Sequence, residues 1–147
     1  MSYTLIIIDM QPEFECSSDY GLQETIKELI EEAKDHNNPI VIVEYRKSGQ
    51  TVPEIFDYVD SYHDCYVVRK SCDDGSNEID KVVQNYELPR NCKVCGINFG
   101  YCVKDTVKGL LSKGYNVEVV EEACSQPEDY GNWSDVKSWM KTNGVLI

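Results

Sequence analysis

The sequence is poor in histidine and in positive charge. Among 147 residues there are two histidines, and 14 lysines and arginines stand against 26 aspartates and glutamates, for a net charge of −12. A general nucleic-acid surface needs clustered Lys and Arg, so no nucleic-acid partner is expected. No apolar run is long enough to span a bilayer, so no membrane partner is expected either. The opening MSYTLIIIDM has no basic region before its apolar stretch, and it reads as a strand rather than a signal peptide. The expected location is therefore cytoplasmic. Acidic residues are spread along helical stretches such as KELIEEAKD instead of gathering in a tail, which fits solubility rather than disorder. Repeats, linkers and low-complexity segments are missing, and the length suits one domain over residues 1–147.

What the chain does have is cysteine: Cys16, Cys65, Cys72, Cys92, Cys95, Cys102 and Cys124. An odd count without a secretion signal points to reduced thiols. The CKVC stretch at 92–95 lies inside an apolar strand-like run, where Cys92 and Cys95 face opposite sides. No second Cys or His pair is placed to complete a metal site with them.

Apolar strand-like runs alternate with amphipathic helix-like runs. YTLIIID (3–9), PIVIVEY (39–45), CYVVRK (65–70), CKVCGI (92–97) and YNVEVVEE (115–122) read as strands, and GVLI (144–147) as a short sixth. Leu22, Ile26, Leu29, Ile30 and Ala33 share one helical face. Ile79, Val82, Val83 and Tyr86 share another, and Val103, Thr106, Val107, Leu110 and Leu111 a third. Thr51 is expected to cap a helix carrying Pro53 and Glu54, Asn132 to cap a last helix, and Gly114 to stop the helix before it. Such alternation predicts an α/β, three-layer, doubly wound and mainly parallel sheet of five to six strands with helices on both faces, a Rossmann-like architecture. Ligands of these folds bind beyond the carboxyl ends of the strands, where the strand order reverses.

Those strand ends carry Asp9, then Arg69 and Lys70, and then the stretch NFGYC with Cys102 opening a helix. A thiol at a helix start beside a lysine has the surroundings that lower a thiol pKa, and a carboxylate can carry its proton to a leaving amine. Two other readings share the outline. A flavodoxin needs a Ser/Thr/Gly-rich phosphate loop after the first strand, where this chain has DMQPEFEC. A phosphoacceptor receiver needs an acidic pair at the first strand end, and it is missing. A catalytically silent binding or assembly protein on the same fold is a third alternative.

The segment VCGINFGYCVKDTVKGLLSKGYNVEVVEEAC, together with LIIIDMQPEF and VVRKSC, resembles in order the isochorismatase-like cysteine hydrolases, a superfamily that includes nicotinamidases and N-carbamoyl amidohydrolases. The resemblance implies a cysteine-dependent hydrolase cleaving a small amide or N-carbamoyl C–N bond through a thioester. Cys102 corresponds to the nucleophile, Asp9 to the general base and acid, and Lys70 to the third catalytic residue. It also implies a cis peptide at Ile97–Asn98, with the N–H groups of Asn98 and Cys102 forming an oxyanion hole, and a dimer or tetramer. Gln11, Phe14, Tyr101 and His63 are candidate pocket residues. Nicotinamidases carry an Asp-x-His metal site. Here no Asp-x-His occurs, so no metal and no other cofactor is expected. After the lysine the chain reads SCDDG, whose Asp73 and Asp74 disfavour a strongly anionic substrate.

Overall fold

A computed structural model describes residues 2–147. Five strands, β1 (Thr4–Ile8), β2 (Ile40–Tyr45), β3 (Cys65–Lys70), β4 (Asn91–Ile97) and β5 (Asn116–Ser125), form one sheet in the order β3-β2-β1-β4-β5. Every pairing is parallel. Strands buried on both faces read as unbroken apolar runs, and this is why TLIII and IVIV carry no polar alternation.

The pleat divides each run between two cores. Leu5, Ile7, Ile40 and Ile42 face α1 (Tyr20–Asp35) and α2 (Pro53–Val59). Ile6, Ile8, Val41 and Val43 face α3 (Ser76–Tyr86), α4 (Lys104–Ser112) and α5 (Trp133–Thr142). Cys92 and Cys95 fall into opposite cores, as the strand period requires. Leu22, Ile26, Ile30 and Ala33 are the buried stripe of α1. Asn132 caps α5 by accepting the Asp135 N–H, and Gly114 leaves α4 with φ +85°.

Three expectations are corrected. The sixth strand contracts to one parallel bridge between Glu118 and Leu146, supported by Val119 N–H donating to Leu146 O and Leu146 N–H donating to Val117 O. Thr51 does not cap α2. Its N–H and hydroxyl both donate to Oε2 of the buried Glu44, at 2.7 and 2.8 Å, and Val52 takes the cap position without a side-chain bond. The helix after β4 does not start at Cys102: a π-helical turn, Phe99–Val103, comes first and α4 follows.

Gly96 sets how closely β4 can lie beside β1. Its φ is +119°, and a Cβ there would stand 2.1 Å from the Ile8 carbonyl oxygen. Close to this point the ladder to β5 is irregular: Val94 pairs with Val119 but Gly96 with Cys124, so β5 loops out between them. The strand order reverses between β1 and β4, and the segments leaving those two strands carry Asp9 and Cys102.

Candidate active site

Asp9 directly follows β1. It adopts φ +57°, a left-handed conformation that Asp tolerates better than branched residues, and its N–H donates to Val43 O at 2.9 Å. Its side chain is buried and neither carboxylate oxygen has a well-aligned hydrogen-bond partner. What faces it is Lys70, whose Nζ lies 3.1 Å from Oδ2.

Lys70 ends β3 and is fully buried, while its neighbour Arg69 points outward to Glu44. The alternation of side chains along a strand separates the two. The Lys70 ammonium donates to Cys72 O at 3.1 Å and Asp73 O at 3.0 Å, and it pairs in charge with Asp9 at 3.1 Å. The Tyr45 ring covers it at 4.7 Å. Burial works against the charge, but Asp9 and Cys102 outweigh it, and the Lys70 pKa is raised overall. Gly75 leaves room for the lysine stem, since a Cβ there would come within 3.0 Å of Lys70 Cδ.

Cys102 sits in the π-helical turn with 8% of its surface exposed. Tyr101 and Val103 N–H both donate to Asn98 O, and Gly100 N–H donates to Gln126 Oε1 at 2.8 Å. The Phe99 ring stacks on Trp133 of α5 at 3.9 Å, which anchors the turn to the sheet's far face. The peptide Ile97–Asn98 is cis. The sulfur donates to Asp73 Oδ1 at 3.8 Å, and both Asp9 and Lys70 are close enough to act on its charge.

The electrostatics differ from the sequence-based expectation. Burial raises the Cys102 thiol pKa and Asp9 raises it further, with Lys70 opposing both. Burial likewise raises Asp9, against the pull of Lys70. Burial and the Asp9 carboxyl thus disfavour the thiolate in the empty site, and Lys70 favours it. A proton that moves only as the sulfur attacks fits this arrangement.

A pocket of about 350 Å³ opens over the sulfur. Phe14, Asn98 and Tyr101 line it, together with Asp73. Tyr45 and Tyr130 also line it; neither was anticipated, although both follow the same strand-end rule, Tyr45 closing β2 and Tyr130 lying in the loop after β5. Two candidates lie elsewhere. Gln11 is fully buried and its amide is consumed by backbone: Nε2 donates to Tyr45 O and Gly49 O, and Oε1 accepts from Tyr45 N–H. It holds the end of β2 rather than lining the pocket. His63 precedes β3, at the amino ends of the strands, and packs on Tyr62 with ring centroids 4.8 Å apart. A parallel strand separates it from the carboxyl-end rim. Asp74 turns away to cap α3, accepting the Ser76 N–H at 2.8 Å.

A larger cavity of about 520 Å³ lies around Tyr3, Cys92, Lys93 and Val117, at the opposite end of the sheet and away from the three reactive groups. Among the described residues no group of three or more His, Cys, Asp or Glu is arranged to hold a metal, so the residues do not fit a nicotinamidase-type ion. No described helix is long and apolar enough to cross a membrane.

Comparison with known proteins gives the same picture. The chain is 30% identical over 129 residues to isochorismatase domain-containing protein 2 of Xenopus laevis, an alignment covering 84% of this chain and 60% of that protein. The chain therefore spans about three fifths of its relative's length. The fold superposes on the nicotinamidase of Staphylococcus aureus with a TM-score of 0.82 at 15% identity, covering 99% of both chains. It superposes on a ribonuclease from Caenorhabditis elegans at 0.84 and 24% identity, covering 99% of this chain and 76% of that one. For N-carbamoylsarcosine amidase of Thermoplasma acidophilum the values are 0.78 and 20%, with coverage of 99% and 95%. The isochorismatase domain profile matches residues 3–145, nearly the whole sheet and its flanking helices, and the chain belongs to the isochorismatase domain family.

Proposed function

We propose that the protein is a cysteine-dependent hydrolase of small amides or N-carbamoyl compounds. The observation that carries this reading is the meeting of three reactive groups from three distant segments at one pocket: Lys70 Nζ 3.1 Å from Asp9 Oδ2, and the Cys102 thiol within reach of both. Nicotinamidase and N-carbamoylsarcosine amidase, both C–N hydrolases by name, share the fold.

In this reading Cys102 gives its proton to Asp9 as the sulfur attacks the carbonyl carbon. The N–H groups of Asn98 and Cys102 face the developing oxyanion. Collapse breaks the C–N bond, and the amine or ammonia leaves with the proton from Asp9. Water then gives a proton to Asp9 and its oxygen to the thioester carbon, the S–C bond breaks, and the sulfur recovers the proton. Lys70, paired in charge with Asp9 and bonded to two backbone carbonyls, keeps Asp9 ionised and in place.

The test is ammonia release over a panel of small amides and N-carbamoyl compounds, without added metal, for the natural sequence and Cys102→Ala. Release by the former and none by the latter is expected. Equal release by both proteins refutes the assignment, and release by neither favours a silent binding or assembly protein. Sedimentation reads the accompanying expectation of a dimer or tetramer.

A further inference from the structure

The pocket over Cys102 has an unusual charge pattern for a hydrolase of polar amides. Its single charged lining group is the carboxylate of Asp73, an exposed residue whose Oδ1 stands 3.8 Å from the sulfur. No Lys, Arg or His lines it among the described residues. Lys70 is fully buried beneath the site, does not line the pocket, and is already paired with Asp9, bonded to two backbone carbonyls and covered by the Tyr45 ring.

The other walls are aromatic. Tyr101 and Tyr130 form an edge-to-face pair at 5.3 Å and are 45% and 40% exposed. Phe14 closes the opposite side, edge-on to Tyr45 at 6.4 Å. A carboxylate combined with exposed aromatic faces favours a cation: the ring quadrupoles attract it and the carboxylate neutralises it. An anionic group in the same place meets Asp73 with no compensating charge.

We propose that this pocket selects small amides or carbamoyl compounds carrying a positive charge, with Asp73 as the specificity-determining residue and Tyr101 and Tyr130 as the cation-facing wall. The proposal rests on the hydrolase reading for the fate of the substrate, but not for its binding. A bound cation also offsets the repulsion that Asp73 exerts on Asp9, which keeps the base ionised during attack. The Asp73 side chain accepts one bond, from the Cys102 thiol at 3.8 Å to Oδ1, which leaves Oδ2 to face a ligand, while the backbone carbonyl of Asp73 holds Lys70.

The test separates binding from turnover. Calorimetry with Cys102→Ala measures the binding of trimethylammonioacetamide, its uncharged isostere tert-butylacetamide, and the anionic succinamate. The cation is expected to bind about 10- to 100-fold more tightly than its isostere, and the preference to collapse in Cys102→Ala/Asp73→Asn. Equal binding of the isosteres, tighter binding of succinamate, binding of none of the three, or a preference that survives Asp73→Asn overturns the proposal. In the Cys102-containing protein, the ratio of kcat/KM for cation over isostere is compared with and without Asp73→Asn, so that the greater intrinsic reactivity of the cationic amide cancels. A charge preference in binding without any ammonia release sinks the hydrolase reading and leaves the cation site standing.

Discussion

Replacing Lys70 by methionine keeps the stem and removes the ammonium. The structure sets the size of the result. Asp9 loses the one charge that compensates it inside a closed site, and Cys72 O loses its donor, while Asp73 O keeps a weaker bond from Thr106 Oγ1 at 3.4 Å. Breaking a buried pair from one side costs about 3–5 kcal/mol. A ceiling on the charge part follows from letting Asp9 take a proton instead. Starting from its ordinary value of 3.8, protonation at pH 7 costs about 4.4 kcal/mol, at 1.36 kcal/mol per pH unit.

The pH dependence has a definite sign. In Lys70→Met the folded Asp9 pKa lies above the unfolded value by more than in the natural chain, because burial is no longer opposed. The folded variant then binds a proton that its unfolded state releases, so its stability rises as pH falls toward 3.8. The stability gap between the natural chain and Lys70→Met should therefore shrink by about 1–3 kcal/mol between pH 7.5 and pH 5. Urea denaturation at the two pH values reads this. Asp9→Asn/Lys70→Met removes both charges and should recover most of the loss, giving a double-mutant coupling of about 2 kcal/mol or more. A Lys70→Met cost below about 1 kcal/mol that does not change with pH would refute a buried Asp9–Lys70 pair.

Gln11→Ala removes three hydrogen bonds to the backbone of β2 and its following turn, and should cost about 2–3 kcal/mol in denaturation. Gly96→Ala forces a Cβ against the Ile8 carbonyl and should abolish soluble expression, or lower stability by about 3 kcal/mol or more. Burial raises Cys92 and Cys124 to about 12 from an ordinary 9.0. The folded chain keeps thiol protons that the unfolded chain releases, so stability should fall by about 1–3 kcal/mol per pH unit above pH 9. Cys92→Ala/Cys124→Ala should remove that share of the slope in denaturation at pH 9 and 10.5, leaving the part due to the other raised thiols, Cys65, Cys95 and Cys102. Iodoacetamide at pH 7.5 should label the exposed Cys72 faster than Cys102, whose thiol pKa is raised; mass spectrometry of time-resolved digests gives the order.

The cost of misplacing groups in a buried site explains which parts of this protein were readable in one dimension. The apolar runs LIII and IVIV read as two-sided strands, and the amphipathic stripe of α1 as a helix lying on one of their faces. Parallel order and the strand-end rule then brought Asp9, Lys70 and Cys102 to one rim. The termini of elements were less legible, because competing partners decide them. Thr51 had a capping spacing, but Glu44, buried one strand away, took its donors. Gln11 sat beside Asp9, yet the turn after β2 claimed its amide. His63 was grouped with the site by sequence interval alone, which does not say at which end of a strand a loop lies.

The sequence by itself determined the order of elements and the two-sided burial of the sheet, since period is a local property, and it put Asp9, Lys70 and Cys102 at strand ends or just beyond them. Only the tertiary structure decided what surrounds those residues and so the direction in which each is shifted. Whether a thiol sits beside a lysine or beneath a carboxylate depends on distances between segments far apart in the chain, and burial turned an expected lowered thiol into a raised one. The same distances put the carboxylate of Asp73, rather than that of its neighbour Asp74, at the mouth of the pocket.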